Sequence, residues 1–106
     1  MKSTQGATEL SRAAEHAADF LRTLAHPARL RMVCALLEGE LTAGELALRA
    51  GLRAPALSQQ ATVLESGGLL NRRRDARSVR YSLASPAVRA QAKLLHRLFC
   101  KPSKRR

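Results

Sequence analysis

Helix-breaking residues interrupt the chain at His26-Pro27, Gly39, Gly51, Gly67-Gly68 and Ser85-Pro86, so only short elements fit between them. From Leu10 the apolar residues Leu10, Ala13, Ala14, Ala17, Phe20, Leu21 and Leu24 recur at helical spacing, with Thr8 placed to cap a first helix. The residue before a proline avoids helical backbone angles, so His26 ends that helix, and Pro27 suits the first turn of a second. The second is expected to run to about Glu38 with Leu30, Val33, Cys34 and Leu37 as its apolar stripe. Thr42 followed by Glu45 is a capping box opening a short third helix, which Gly51 stops. A fourth, Arg53 to Ser66, puts Leu57, Ala61 and Leu64 on one face and Ser58, Gln59 and Thr62 on another.

Two strand-like runs follow, Leu69 to Arg74 and Ser78 to Leu83, around Asp75-Ala76-Arg77; Val79, Tyr81 and Leu83 alternate with Ser78, Arg80 and Ser82. Ser85 then caps a last helix with Pro86 at its first position and Val88, Ala92, Leu95 and Phe99 on one stripe. The expected order is ααααββα, a mostly α chain with a small β-hairpin. Its 106 residues suffice for a single domain with one core, flanked by flexible tails at 1–7 and 101–106.

Charge narrows the partner. Nineteen Lys and Arg against eight Asp and Glu give a formal net charge of +11, which attracts polyanions, nucleic acid first among them. The apolar runs, such as Met32 to Leu37, fall far short of the roughly 20 residues of a membrane span. Polar residues after Lys2 leave no secretory signal, so a cytosolic location is expected. The two cysteines, Cys34 and Cys100, have no zinc-finger spacing, and a reducing cytosol disfavours a permanent disulfide. Transient thiol chemistry stays open. No motif groups a nucleophile, a base and an orienting residue, nor is there a phosphate-binding glycine loop, so an enzyme is not expected; His16, His26 and His96 sit on separate helices and read as structural.

The third and fourth helices, joined at Gly51, fit a helix-turn-helix, whose second member presents short polar side chains to base edges. Gln pairs bidentately with adenine, Ser serves several bases, and Arg53 reaches guanine or phosphate. A polar helix face is otherwise simply solvated. What changes the balance is the hairpin directly after it, crowded with Arg72, Arg73, Arg74, Arg77 and Arg80; a phosphate backbone or minor groove relieves their mutual repulsion. The candidate DNA-binding set is therefore Arg53, Pro55, Ser58, Gln59, Gln60, Thr62, Arg72, Arg73, Arg74, Arg77 and Arg80. A sequence-tolerant basic nucleic-acid-binding protein is the alternative. One Tyr, two Phe and no Trp leave few stacking platforms for single-stranded RNA, which favours duplex DNA.

Leu24-Ala-His-Pro-Ala-Arg-Leu30, Gly44-Glu-Leu46, Leu57-Ser-Gln-Gln60 with Val63-Leu64, and Ser66-Gly-Gly-Leu69 before Arg72 to Tyr81 resemble the winged-helix repressors of the ArsR/SmtB family. The resemblance covers roughly Phe20 to Phe99. It implies a winged helix-turn-helix, a homodimer through the first and last helices, and an inverted-repeat operator released on induction. Surplus apolar positions on the two terminal helices agree with such a dimer.

Members of that family are often metal sensors, but the ligand clusters are missing. Leu41-Thr-Ala-Gly-Glu-Leu46 lacks the Cys-x-Cys pair of the arsenic and cadmium sensors, and the last helix has His96 but no acidic residue. Only Cys34, Cys100 and His96 could be assembled, short of a full ligand set. The cysteine positions instead resemble the dithiol subgroup of the BigR/SqrR type, which responds to sulfide and persulfide; Met32-Val-Cys-Ala-Leu-Leu-Glu-Gly-Glu40 and Leu98-Phe-Cys100 carry that likeness. It implies Cys34 and Cys100 as sensing thiols, bridged by reactive sulfur species as inducer, with no resident cofactor; metal, heme and peroxide are the competing effectors. From its surroundings alone, Cys34 also reads as a small core residue. His96, Arg97 and Lys101 beside Cys100 favour its thiolate, whereas a helix C-terminus opposes it.

Overall fold

The computed structural model describes residues 2–100, with side chains described for residues 6–99. The elements run α1 (Lys2–Leu24), α2 (Pro27–Ala35) with a 3-10 turn (Leu36–Glu38), β1 (Leu41–Thr42), α3 (Ala43–Ala50), α4 (Ala54–Ser66), β2 (Leu70–Asp75), β3 (Ser78–Leu83) and α5 (Pro86–Leu95), closed by a π turn (His96–Cys100).

The boundaries follow local chemistry. His26 caps α2, its Nδ1 accepting from the Ala28 N–H at 3.1 Å, with Pro27 in the first turn. At α3 the Glu45 N–H donates to Thr42 Oγ1 at 3.1 Å and the Thr42 N–H donates to Glu45 Oε1 at 2.8 Å, the reciprocal pair expected of S/T-x-x-E. Gly51 ends α3 at φ 68°, a left-handed angle that glycine adopts without a Cβ penalty. Ser85 Oγ accepts from the Val88 N–H at 3.2 Å and opens α5.

Leu24, Met32, Leu36, Leu46, Leu57, Leu64, Leu69, Leu83 and Val88 form one core joining all five helices and the sheet. Three arginines close the last turns of helical segments from outside. Arg29 Nε donates to the Thr23 carbonyl at the end of α1, Arg31 Nε to the Ala50 carbonyl at the end of α3, and Arg89 Nη1 to the Leu37 carbonyl of the 3-10 turn. Those carbonyls lack intrahelical partners, and the negative end of each helical segment favours a cation there.

Three expectations are corrected. α1 begins at Lys2 rather than after Thr8, and Gly6 within it costs only about 1 kcal/mol against alanine. On α2 the fully buried residues are Ala28, Met32 and Val33; Leu30, Cys34 and Leu37 of the expected stripe are half-buried. Leu30 and Cys34 line a cavity of about 310 Å³ with Leu95 of α5 and Phe99 of the π turn. Finally, the hairpin gains a third strand: β1 pairs antiparallel with β3, Leu41 opposite Tyr81 and Thr42 opposite Arg80, in the order β1-β3-β2. The chain between Gly39 and the α3 cap is extended and lies against an open edge of β3.

The radius of gyration is 16.1 Å, above the about 13 Å of a compact chain this long. α1, the end of α5 and the π turn leave Leu10, Leu21, Leu94, Leu98 and Phe99 exposed, Phe99 at 78%.

Candidate nucleic-acid interface

Leu46 and Ala50 of α3 are buried with Leu57, Ala61 and Leu64 of α4, and the Leu52 N–H donates back to the Ala47 carbonyl at 2.9 Å, so the turn between the helices is fixed by packing and backbone bonding. This phase leaves Pro55, Ser58, Gln59 and Thr62 exposed on α4, with Arg53 at its N-cap also exposed. Thr62 Oγ1 donates to the Ser58 carbonyl at 3.0 Å, which leaves its oxygen as an acceptor for a partner.

Gln60 stands apart from the other candidates. It is half-buried, and its Oε1 accepts from Arg29 Nη1 at 2.8 Å. Bidentate adenine pairing needs both ends of the carboxamide, and here one end is occupied.

The wing arginines divide by face. Arg73 on β2 lies directly opposite Arg80 on β3, an arrangement that would repel if unpaired. Glu40 receives Arg73 in a two-point contact, Nε to Oε2 at 3.0 Å and Nη2 to Oε1 at 2.8 Å, while Arg80 Nε donates to Asp75 Oδ2 at 3.0 Å. The Arg73 guanidinium holds the Glu40 carboxyl below its ordinary range, chiefly through the hydrogen bond, and Glu40 in turn strengthens Arg73's hold on its proton. The repulsion expected to need an external phosphate is thus relieved internally at Arg73 and Arg80. Arg72 and Arg74 project on the other face, opposite Tyr81 and Val79, and Arg77 sits at the tip.

A similar division runs through most of the other arginines. Arg22 pairs with Asp19 and Arg49 with Glu38, Arg29, Arg31 and Arg89 bind backbone carbonyls, and Arg73 and Arg80 bind carboxylates. Six arginines have no ion pair or side-chain hydrogen bond among the described residues: Arg53, Arg72, Arg74 and Arg77 at the head of α4 or in the wing, Arg12 on α1 and Arg97 in the π turn.

Sequence reasoning passed over Arg29 and Glu40. Glu40 carried one signal, an acidic residue just ahead of the Thr42 capping box in a strongly basic chain. Arg29 carried none, because its partner Gln60 is 31 positions away.

Cys34 is half-buried between two clefts, the apolar one with Leu30, Leu95 and Phe99 and a polar one lined by Arg31, Glu38, Arg49 and His96. The side chain of Cys100 lies outside the described residues, as do positions 101–106. Among the described residues, no three His, Cys, Asp or Glu side chains are grouped to hold a metal ion, and no helix is long and apolar enough to cross a membrane.

A turn-linked helix pair followed by an arginine-bearing wing defines a DNA-binding transcriptional regulator of the winged helix-turn-helix class. Residues 26–72 match the model of the bacterial regulatory proteins of the arsR family. The biofilm growth-associated repressor of Agrobacterium fabrum is 40% identical over 93 residues, 88% of this chain and 80% of that one. Reduced HlyU from Vibrio cholerae superposes with a TM-score of 0.82 at 41% identity, covering 88% of this chain and 98% of the other; that protein is named a transcriptional activator. The repressor BigR from Xylella fastidiosa superposes at 0.80 with 36% identity, covering 90% and 97%. The chain belongs to the ArsR family.

Proposed function

We propose that the chain is a homodimeric repressor that binds an inverted-repeat operator through α4 and the wing and lets it go when Cys34 and Cys100 are oxidised by reactive sulfur species. The observation that carries the DNA-binding part is the clustering of unpaired arginines: Arg53, Arg72, Arg74 and Arg77 stand without partners together on the α4 and wing side, whereas elsewhere among the described residues only Arg12 on α1 and Arg97 in the π turn do. Unpaired guanidinium groups on one surface are what a phosphate backbone neutralises. Pro55, Ser58, Gln59 and Thr62 are the base-facing candidates, with Arg73 and Arg80 holding the wing in shape. Exposed Leu10 and Leu21 on α1, with Leu94, Leu98 and Phe99 at the far end of α5, support a dimer through the terminal helices.

The thiol part draws support from the cavity shared by Cys34 and Phe99, since Phe99 immediately precedes Cys100. A polysulfide donor hands a sulfane sulfur to one thiolate and leaves as an anion one sulfur shorter. The second thiolate attacks the cysteine-bound sulfur of that persulfide, a disulfide forms, and hydrosulfide departs; further sulfur transfer gives a polysulfide bridge. The bridge ties α2 to the end of α5 and shifts the relative placement of the reading heads. Tenfold loss of operator affinity needs only about 1.4 kcal/mol of coupling.

The DNA reading is tested by gel shift of a selected inverted repeat against scrambled duplex at fixed salt; equal affinity for both would refute it. For the thiols, Cys34→Ser and Cys100→Ser should each keep operator binding and lose release by polysulfide. A single variant that still releases normally would sink the two-thiol mechanism. Mass spectrometry after separate treatment with polysulfide, an organic disulfide and peroxide identifies the inducer class from the mass added between the two cysteines.

A further inference from the structure

We infer that Arg29 and Gln60 are positioning residues: through them α1 holds the reading helix α4 at the angle that decides which half-site spacing the dimer accepts. The inference rests on the operator-binding dimer proposed above, and its observations are separate from those of the thiols.

The Arg29 guanidinium spans three elements. From α2, its Nε donates to the Thr23 carbonyl of α1 at 2.5 Å and its Nη1 donates to Gln60 Oε1 of α4 at 2.8 Å. The fork geometry of arginine fixes both bonds in one plane, which a lysine ammonium cannot reproduce. Thr23 meets α4 a second time at its end, where Gly67 approaches so closely that a Cβ there would lie 2.7 Å from Thr23 Cγ2. Gln60 and Gly67 lie about two turns apart, roughly 10 Å along the chain axis of α4. A rod held at one point pivots; a rod held at two such points does not.

α1 carries exposed Leu10 and Leu21. If that face meets its counterpart in the second copy, each reading helix is fixed relative to the dimer axis through Thr23, Arg29 and Gln60. In two-fold regulators the reading heads address half-sites about 34–36 Å apart, so a small rotation of α4 changes which spacing fits. Gln60 then contributes to specificity without touching a base, and its occupied Oε1 is the reason.

The probe is the inverted repeat that the wild-type chain selects from a random duplex pool, remade with its central spacer shortened and lengthened by single base pairs. The wild type should prefer one spacing. Gln60→Ala and Arg29→Gln should each lose about tenfold on that spacing and flatten the preference, with base preferences at every position unchanged, and the double variant should be no worse than either. Gln60→Glu keeps an acceptor for the guanidinium and should stay within about threefold of wild type, whereas a base-reading glutamine would not survive that change. Thermal unfolding of the Gln60 variants separates positioning from loss of fold.

An altered base preference at one position in Gln60→Ala, a Gln60→Glu as weak as Gln60→Ala, or an unchanged spacing preference in folded variants would each overturn the inference. A wild type that selects no inverted repeat overturns instead the functional reading on which it rests.

Discussion

The hairpin turn between Asp75 and Ser78 places Ala76 at φ 56°, where a Cβ crowds the following carbonyl and glycine does not. Ala76→Gly should therefore raise stability by up to about 1 kcal/mol, read as a higher unfolding midpoint; a lower midpoint would mean that the unfolded-state entropy of glycine dominates. Gly67 is the opposite case. Its neighbour is a side chain on another helix, so Gly67→Ala should cost about 1–3 kcal/mol, and Thr23→Ser, which removes the methyl it would strike, should recover most of that in the double variant. Additive losses in denaturant unfolding would show that Thr23 and position 67 do not share the strain.

At the scale of elements, the wing is braced by a titratable contact. Because the Glu40 carboxyl is held below its ordinary range by Arg73, the brace contributes above that range and is lost as pH falls through the lowered value. Protection of the β2 and β3 amides, measured against their intrinsic exchange rates, should fall as pH drops below the ordinary carboxylate range, and Glu40→Gln should show the lower protection already at neutral pH. Glu45 behaves alike at the head of α3, its carboxyl lowered chiefly by the Thr42 N–H that donates to it. What could be read from sequence and what could not separates on this scale. The α3 cap, Gly51 and the Ser85 cap are made by residues within a few positions of one another, so spacing alone reveals them. β1 is two residues whose extended state comes from pairing with Tyr81 and Arg80, and no local pattern announces it. The exposed side of α4 follows from its apolar period, yet Gln60 falls at the rim of that side, and only a distant arginine turns it inward.

For the whole molecule, the positive charge is not one quantity. Arg72→Gln, Arg74→Gln and Arg77→Gln should each lower the slope of log affinity against log salt by about 0.9, while Arg22→Gln, paired with Asp19 on α1, should leave it nearly unchanged. Equal effects at all four positions would mean that net charge alone governs binding. The terminal helices make a separate expectation. Leu98, 61% exposed beside Phe99, should tolerate Asp in the folded chain but weaken self-association by tenfold or more, about 1.4 kcal/mol, seen as monomer in sedimentation at concentrations where the parent is dimeric. A dimer unaffected by Leu98→Asp would put the interface elsewhere.

The three guanidinium groups at Thr23, Ala50 and Leu37 carry one more consequence, for how such a sequence tolerates drift. Lysine and arginine look interchangeable when a chain is judged by its isoelectric point, and on the wing much of the exchange would pass, since a phosphate accepts either cation. At Arg29 it would not, because an ammonium lacks the flat fork that reaches the Thr23 carbonyl and Gln60 together, whereas Arg31 and Arg89 each make a single bond to a carbonyl, which a lysine can also donate. Two homologues of identical charge can therefore differ in whether one side chain ties α1 to α4.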